Sequence, residues 1–271
     1  MTGRDERFAR ARVRHETVRR SLQVIRTSHV APGIRRITLG GAELAGFTSL
    51  GPADHVKVFV PAADGDLVSR DYTPAAYRGS GDGVAPGGEL DLDFYLHGVG
   101  SDAGGDGGSG PAASWAVTAA PGDAVAIGGP RGSKLPPADA DELLLVADET
   151  ALPAVTRWLA ALPDVPVVGL FAVTDPGVSA YLAPHVAAHR DFRWFSGGTR
   201  HDRVAEALRA LTIDAGTFCF LAGESRSLVP LRRYLRRELG LPKAQVDAHG
   251  YWKLGTAGHD HHAPIDPSDD D

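Results

Sequence analysis

From residue 143 onward, continuous apolar runs alternate with segments of helical pattern. The apolar runs cover residues 143–148, 167–173 and 217–222, and residues 192–195 and 246–254 look like two further strands. The helical segments cover 151–161, 203–210 and 228–239, with a further helix end expected at 185–190. Strands that alternate with helices predict a parallel, doubly wound sheet. The ligand of such a sheet lies at the carboxyl ends of its strands, here near residues 148–151 and 222–225. This half has no Gly-x-Gly-x-x-Gly fingerprint, so an ordinary Rossmann dinucleotide site is not indicated.

The first half carries shorter runs of β-forming residues separated by turn signals. These runs cover residues 21–29, 34–40, 54–61, 70–77, 89–96 and 125–127. Short strands with regular turns predict an antiparallel barrel. The predicted fold class is therefore an N-terminal antiparallel β-barrel domain, residues 20–138, followed by a C-terminal α/β domain with a parallel sheet, residues 139–258.

The net charge of −6 is unevenly distributed. Residues 1–36 contain ten arginines and three acidic residues, whereas residues 259–271 contain five aspartates and three histidines. A basic arm could bind nucleic acid or an acidic partner. We expect instead a solvated, partly disordered arm over residues 1–19, no nucleic-acid partner, and a disordered acidic tail over residues 259–271. The histidines at 259, 261 and 262 lack a helix that would fix ligand geometry, so no metal site is assigned.

Cys219 is the single cysteine and lies in an apolar run, where it is expected to be a small buried hydrophobe. One thiol forms neither an internal disulfide nor a cysteine metal cluster, which fits a reducing compartment. No apolar stretch is long enough to span a membrane, and the arginine-rich N-terminus is not followed by the apolar run of a secretory signal. These features favour a cytoplasmic protein.

The segment Arg70-Asp71-Tyr72-Thr73 has the composition of a cofactor contact. In an extended strand, Arg70 and Tyr72 face one side and Asp71 and Thr73 face the other. A flat, anionic cofactor needs a cation for its phosphates, an aromatic wall for its ring and a hydroxyl for a ring nitrogen. The alternative is an ordinary strand with a surface arginine.

A second candidate begins at Gly110-Pro111-Ala112, directly after a stretch with seven glycines in residues 98–110. Proline suits the first position of a helix because its missing N–H is not needed there. A helix that begins at Pro111 directs free N–H groups toward a pyrophosphate. The alternative is a short connecting helix.

These pieces occur together in one known arrangement. A barrel with Arg70-x-Tyr72-Thr73, a Gly-Pro-Ala helix start and a following α/β domain resemble the ferredoxin reductase-like flavoproteins. The further motifs are Leu96-His97-Gly98, Gly129-Pro130-Arg131-Gly132-Ser133, Ala147-Asp148-Glu149-Thr150-Ala151-Leu152-Pro153-Ala154, Ala222-Gly223-Glu224 and Gly250-Tyr251-Trp252-Lys253-Leu254-Gly255. With them, residues 20–258 resemble the siderophore-interacting protein family.

The resemblance implies an FAD enzyme that takes electrons from NADH or NADPH and reduces a ferric siderophore, so that Fe(II) leaves the chelator. It requires no catalytic acid–base pair and no metal ion held by the protein. It implies that Arg70 pairs with a phosphate, Tyr72 flanks the isoalloxazine and Thr73 reaches a ring nitrogen. The residues implied on the pyrophosphate and adenine side are His97, Gly110, Pro111, Ala112 and Trp115.

The resemblance also assigns residues to the other ligands. Thr150 and Ala151 would lie beside the flavin, and Gly223 and Glu224 would help hold the nicotinamide nucleotide. Lys253 would attract the anionic ferric chelate, with Arg131 and Lys134 as weaker candidates. Trp252 is expected to be a core residue rather than a ring stacked on the flavin.

Two segments depart from the family pattern. Eleven residues, 99–109, separate the His-Gly and Gly-Pro-Ala motifs, which in the family lie a few residues apart. Ala75 stands where the family often has a phosphate-binding arginine, and Arg78 is the residue that could replace it. The choice between NADH and NADPH stays open, with Asp175 as a weak pointer to NADH, and reduced ferredoxin is an alternative donor. The competing functions are a general NAD(P)H:flavin or ferredoxin-type reductase and a non-catalytic ferric-siderophore binder.

Overall fold

The computed structural model describes residues 7–62, 64–81, 84–96, 110–256, 258–259 and 264–266. The chain divides into two units. The barrel unit comprises Arg12–Leu135 with Thr156–Trp158, and the sheet unit comprises the described parts of Met1–Ala11, Pro136–Val155 and Leu159–Asp271. The domain limits 20–138 and 139–258 stay a prediction.

The barrel unit is built on a seven-stranded antiparallel sheet. The strands of this unit are β1 (Arg12–Arg14), β2 (Arg19–Ala31), β3 (Ile34–Gly40), β4 (Val56–Pro61), β5 (Leu67–Tyr72), β6 (Pro74–Arg78), β7 (Glu89–Tyr95), β8 (Ala124–Gly128) and β9 (Gly132–Lys134). β1 and β9 form a separate short ribbon. The order in the sheet is β5-β4-β8-β2-β3-β7-β6, and β1 pairs with β9 outside it. The predicted antiparallel barrel class is confirmed.

The two edges of this sheet meet at Thr73. β5 and β6 are the edge strands, yet Thr73 alone separates them along the chain. The sheet must therefore curl until its edges are neighbours. The predicted single strand over residues 70–77 is wrong, because Pro74 has no N–H to continue the ladder and the chain changes partner there, from β4 to β7.

Alternating apolar residues fill the inside of the curled sheet. The valines at 56, 58 and 60 of β4 and Leu90, Leu92 and Phe94 of β7 are fully buried. The helix α1 (Pro111–Thr118) adds Ala112 and Ala116 to the same cluster. The predicted helix start at Pro111 is confirmed, and the helix closes over the core with small side chains.

The sheet unit holds a five-stranded parallel sheet. Its elements are β10 (Glu142–Asp148), α2 (Leu152–Ala161), β11 (Val167–Ala172), β12 (Arg190–Phe195), α3 (Arg200–Arg209), β13 (Thr217–Glu224), α4 (Ser225–Arg233) and β14 (Val246–Trp252). The strand order β12-β11-β10-β13-β14 reverses direction beside β10, which is the switch point where a crevice opens in sheets of this kind. The predicted parallel sheet is confirmed. No helix among the described residues has both the length and the apolarity to cross a membrane.

Two helix predictions in this unit need correction. The helix end expected at 185–190 does not exist, since Pro176–His185 is a 3-10 helix and Arg190 already begins β12. Pro184 lies inside that 3-10 segment, and proline destabilises an α-helix interior because it removes a backbone hydrogen bond. The helix expected over 228–239 begins earlier, at Ser225, and continues beyond Arg233 as a π-helix, Tyr234–Glu238.

Part of the arm is packed rather than solvated. Phe8 is 2% exposed, its ring lies 5.7 Å from that of Phe218, and its N–H donates to the Asp139 carboxylate at 3.1 Å. The Arg10 side chain is buried in an ion pair with Asp247. One aromatic residue among the arginines therefore anchors the arm.

Part of the acidic tail is likewise docked rather than disordered. Asp266 is 3% exposed and pairs with Arg233 of α4. Ile265 packs against the core of the sheet unit. His259 Nε2 lies 2.9 Å from Ser225 Oγ at the start of α4. The rest of the predicted tail, residues 260–263 and 267–271, lies outside the described residues.

Candidate functional site

The candidate flavin residues of the barrel unit lie at the seam between β5 and β6. Tyr72 lies opposite Val56 and Arg70 opposite Val58. Since both valines are buried in the core, Arg70 and Tyr72 share the inner face of the curled sheet. Asp71 points to the other face, where a lysine of β4 donates to it at 3.0 Å. The predicted alternation of the motif therefore holds up to the break at Thr73, which is itself 7% exposed.

Arg70 offers a half-buried cation at this seam. Its Nη1 donates to the carbonyl of Ser69 at 2.8 Å. Within the described part of the chain, no carboxylate forms an ion pair with Arg70. A guanidinium partly removed from water and lacking an internal counter-charge is suited to bind a phosphate.

An aromatic row connects the seam with α1. The Tyr72 ring lies 4.2 Å from that of Phe94, and the Phe94 ring lies 5.5 Å edge-on from that of Trp115. Burial raises the pKa of the Tyr72 phenol, which therefore stays protonated. The two sequence motifs assigned to the flavin, one on β5 and one on α1, are thus brought together through Phe94.

The start of α1 has the features of an open helix N-terminus. Pro111 occupies the first turn, and the preceding Gly110 makes no side-chain cap. A Cβ added at Gly110 would meet no described atom within 4 Å. Ala112 is buried and Trp115 is half-buried. His97 and residues 99–109, which include the inserted loop, lie outside the described residues.

Arg78 is not free to replace the missing phosphate-binding arginine. Its two terminal nitrogens each donate to Asp91 at 2.8 Å, and one also reaches Glu89 at 3.2 Å. The bonds to Asp91 and Glu89 raise the pKa of the Arg78 guanidinium. The pKa of the Glu89 carboxyl is lowered, mainly by its hydrogen bond to Arg26 and further by Arg78. The suggestion that Arg78 substitutes at the Ala75 position is therefore not supported by the geometry.

In the sheet unit, a crevice opens at the switch point between β10 and β13. Its lining comes from the ends of three strands and the first turns of α3 and α4, namely Val146, Ala147, Asp148, Ala172, His201, Val204, Ala222, Gly223, Glu224, Ser227, Leu228 and Leu231. The predicted edge, residues 148–151 and 222–225, contributes Asp148, Ala222, Gly223 and Glu224 to this lining, whereas the polar residues His201 and Ser227 come from the helices. The apolar floor and polar rim are typical of a ligand site.

Asp148 accepts four hydrogen bonds at the edge of the crevice. Its Oδ1 accepts from Thr150 N at 2.9 Å and from Thr150 Oγ1 at 2.5 Å. Its Oδ2 accepts from Glu224 N and from Trp252 Nε1, both at 2.8 Å. Burial raises the pKa of the Asp148 carboxyl even though these four bonds oppose the shift. A buried carboxylate at the meeting point of three strands is thus saturated with donors.

Glu224 fills the N-terminus of α4 with its own side chain. Its Oε2 accepts from Ser227 N at 2.7 Å and from Ser227 Oγ at 3.0 Å. Its Oε1 accepts from Leu254 N at 3.1 Å. Gly223 precedes it with a φ of 144°, and a Cβ there would lie 2.5 Å from Asp148 Oδ2. This position therefore requires glycine.

The remaining predicted contacts of the sheet unit differ in exposure. Thr150 is half-buried, whereas Ala151 is fully buried and its methyl group belongs to the core. Trp252 is half-buried rather than fully buried in the core. Its indole N–H donates to Asp148. Lys253 follows it, half-buried, in an isolated bridge with Thr256.

The other two candidates for the ferric chelate belong to the barrel unit. Arg131 is exposed, and Lys134 ends β9. The arm adds cations here, because β1 pairs with β9 and sets Arg12 opposite Lys134 and Arg14 opposite Gly132. The sequence analysis did not predict this pairing. A three-residue strand within an arginine-rich segment gives no periodic signal from which this pairing could be found.

His201 was also missed. It lies in the first turn of α3 and lines the crevice. Burial and the neighbouring Arg200 lower the pKa of its imidazole, while Asp148 and Glu224 oppose that shift. A histidine with no motif around it carries no sequence signal for this placement. Among the described residues, no group of three or more histidine, cysteine or acidic side chains is arranged to hold a metal ion.

Comparison with known proteins places this geometry in a family. Residues 23–69 and 63–134 match the siderophore-interacting FAD-binding domain, and residues 140–255 match the siderophore-interacting protein model. The chain is 34% identical over 266 residues to an NADPH-dependent ferric-chelate reductase of Escherichia coli, covering 89% of this chain and 95% of that one. It is 27% identical to the ferric vibriobactin reductase ViuB of Vibrio cholerae, covering 90% and 92%.

A solved structure agrees over a similar span. The siderophore utilization protein from T. fusca superposes with a TM-score of 0.78 at 30% identity, covering 94% of this chain and all of that one. The described residues also fit FAD, since they offer an uncompensated cation, an aromatic row and an uncapped helix start in one unit. The family predicted from the motifs is confirmed, and the chain belongs to the siderophore-interacting protein family.

Proposed function

We propose that this protein reduces ferric siderophores, passing electrons from NAD(P)H through FAD to chelated Fe(III) so that Fe(II) leaves the chelate. The observation that carries the proposal is the 34% identity to the Escherichia coli NADPH-dependent ferric-chelate reductase over nearly the whole of both chains. That relative also favours NADPH over NADH as the donor here.

In the barrel unit, the proposed role of the residues is to bind and orient FAD. When bound, FAD would accept two electrons from a nicotinamide and deliver them one at a time to Fe(III). Arg70 pairs with a phosphate, Tyr72 forms the wall of the ring and Thr73 reaches a ring nitrogen. The start of α1, with Gly110 and Pro111, receives the pyrophosphate.

In the sheet unit, the proposed role of the crevice is to hold the nicotinamide nucleotide. Gly223 and Glu224 line it, Thr150 is the proposed contact beside Asp148, and the apolar floor excludes water from the bound ring. Asp175, the weak pointer to NADH, accepts from Gly177 N at 2.7 Å as the cap of a 3-10 helix, which gives its carboxylate a local role.

The cations of the barrel ribbon support an anionic chelate as substrate. Arg12 lies opposite Lys134 and Arg14 opposite Gly132 across β1 and β9, so the ribbon places several cations close together. In the described residues neither Arg12 nor Arg14 forms an ion pair. An anionic ferric chelate would bind the exposed Arg12 and Arg14, and Arg131 and Lys134 are its further proposed contacts in this unit. Lys253 of the sheet unit stays a separate prediction.

The test is an absorption spectrum followed by anaerobic addition of NADPH or NADH, with a ferric hydroxamate or catecholate and an Fe(II) trap present. Flavin bands that bleach with the nucleotide and recover as trapped Fe(II) forms are the expected result. A flavin that resists both nucleotides but reduces the chelate after photoreduction would indicate reduced ferredoxin as the donor. Chelate binding without turnover would indicate a non-catalytic binder. Protein that takes up no FAD would overturn the proposal. We also propose that the protein is cytoplasmic.

A further inference from the structure

Thr73, at the seam of the barrel unit, carries a buried hydroxyl without a partner in the described part of the chain. The residue is 7% exposed, and no described group forms a hydrogen bond with its side chain. Burying a hydroxyl that makes no hydrogen bond is unfavourable. The Thr73 side chain is therefore suited to bond a ligand that enters the seam.

The backbone is restricted on both sides of Thr73. Before it, Tyr72 ends β5 in register with Val56. After it, the ring of Pro74 fixes the φ of that residue and limits Thr73 to extended conformations. The main freedom left beside Thr73 is the ψ rotation of Pro74, and the pairing of β6 with β7 is irregular there, since its register shifts between Pro74 and Ala76. A further contact is needed to hold this point.

Arg157 supplies that contact. Its Nη1 donates to the Pro74 carbonyl at 3.0 Å. Its Nη2 donates to the carbonyls of Ser49 at 2.9 Å and Gly51 at 2.7 Å. Thr156–Trp158 belongs to the barrel unit, so the guanidinium and its three acceptors lie in the same unit. The planar fork of the guanidinium thus ties the seam to a second backbone segment.

The segment that carries Ser49 and Gly51 is a firm anchor for Arg157. Asp54, which is 4% exposed, accepts with its Oδ2 from Ser49 Oγ and Gly51 N, both at 3.0 Å. The same oxygen accepts from Ser133 Oγ at 2.5 Å. A buried carboxylate therefore holds the two carbonyls in place, and the opposite end of the Arg157 fork holds Pro74 at a fixed distance from them.

We propose that Arg157 is a positioning residue for the flavin, which holds the Pro74 carbonyl and so fixes the Thr73 hydroxyl in the orientation that bonds the isoalloxazine ring. The inference rests on the proposed function, because it takes FAD as the ligand of the seam. In this role Arg157 acts through Thr73 and does not touch the cofactor. It serves the ring, whereas Arg70 serves a phosphate.

The test is a double-variant cycle of FAD affinity, measured by titration of the full-length apoprotein with FAD. Thr73→Val removes the hydroxyl and keeps the shape, so it should weaken FAD binding roughly three- to tenfold, as the loss of one net hydrogen bond requires. Thr73→Ser should restore the affinity. Arg157→Met should weaken binding by the same factor as Thr73→Val and, added to Thr73→Val, should weaken it no further. If Arg157 were merely structural, the two factors would multiply.

Riboflavin separates the ring from the phosphates, because it carries the isoalloxazine without a phosphate group. Arg157→Met should weaken riboflavin and FAD by the same factor, whereas Arg70→Met should weaken FAD alone. An Arg157→Met protein that lost affinity for FAD but not for riboflavin would contradict the assignment to the ring.

Arg190→Met is the matched control. Arg190 lies in the sheet unit, and it likewise donates to three backbone carbonyls, at 2.9 Å to His185, 3.3 Å to Leu159 and 3.0 Å to Pro163. This variant should lower the stability of the protein and leave FAD affinity unchanged. Thermal unfolding of each apoprotein establishes that it is folded. If Arg157→Met is not, Arg157→Lys carries the cycle, since lysine keeps the charge but lacks the planar fork.

Failure of this inference and failure of the proposed function are distinguishable. If the wild-type protein binds FAD and reduces a ferric chelate while the Arg157 variant keeps full FAD affinity, the inference is overturned and the function stands. The same holds if the Arg157 and Thr73 factors multiply. If the wild-type protein takes up no FAD, the proposed function fails first.

Discussion

Two arginines near the same strands of the barrel unit should respond to the same substitution in opposite ways. Arg70 has no carboxylate partner among the described residues, whereas Arg78 donates to Asp91 and Glu89. Methionine keeps the apolar stem of either side chain and removes its charge. We therefore expect Arg70→Met to lower FAD affinity with little change in the stability of the apoprotein. Arg78→Met should lower apoprotein stability and leave FAD affinity nearly unchanged.

The magnitudes follow from the partners of each guanidinium. A charge-assisted hydrogen bond to a phosphate contributes about 1.5–3 kcal/mol, so Arg70→Met should weaken FAD binding roughly 10- to 150-fold. Breaking a buried ion pair costs about 3–5 kcal/mol. The Arg78 side chain is 37% exposed, and Glu89 keeps its bond to Arg26, so solvent screening reduces the expected loss to about 1–3 kcal/mol.

The assay combines flavin titration with urea unfolding of the apoprotein. FAD must be absent from the unfolding experiment, because a ligand that binds only the folded state adds to the apparent stability. Protein fluorescence reports the flavin titration of each variant. If Arg78→Met abolished FAD binding while Arg70→Met retained it, the assignment of the phosphate contact to Arg70 would be wrong.

Three further outcomes are expected. Phe8→Ala should destabilise the protein by about 2–4 kcal/mol in urea unfolding and speed tryptic cleavage of the arm, whereas a solvated arm would change neither. Glu89→Gln should be less stable than wild type at pH 7, and the difference should start to shrink as pH falls below 4.5 and be lost as pH falls through the lowered pKa of the folded state, where the Glu89 carboxyl becomes protonated; a difference that did not shrink on acidification would contradict this. Arg12→Gln with Arg14→Gln should raise KM for an anionic ferric chelate and weaken its salt dependence, and an unchanged KM would remove the ribbon from the substrate site.

The elements predicted from sequence are those with a strong local period. The parallel strands and the barrel strands were found because their buried side chains follow a continuous or alternating pattern. The break at Thr73 was not found, because residues 70–77 are β-forming throughout and only the change of pairing partner, from β4 to β7, divides them. The docked arm was missed since Phe8 is one apolar residue among charges, and its ring contact lies 210 positions away at Phe218.

The sequence predicts where the crevice lies but not the hydrogen bonds that its residues form. Residues 148–151 and 222–225 follow from the position of strand ends in a parallel sheet. The partners of Asp148 are 2, 76 and 104 residues away along the chain, and no spacing rule connects such distances. His201 reaches the same crevice only because α3 follows the third strand and packs back over β11.

An irregularity in strand pairing explains how the most distant of these partners reaches Asp148. Up to Gly223 and Gly250, β13 and β14 advance one residue against one residue, and then Glu224 pairs with Trp252. The extra residue, Tyr251, is a bulge in β14, and a bulge turns the side chains that follow it to the other face. Without it, residue 251 would stand beside Glu224, and the Trp252 indole would not align with the end of β13. The burial cost of the Asp148 carboxylate is therefore offset only when β10, β13 and the bulged end of β14 are all in register.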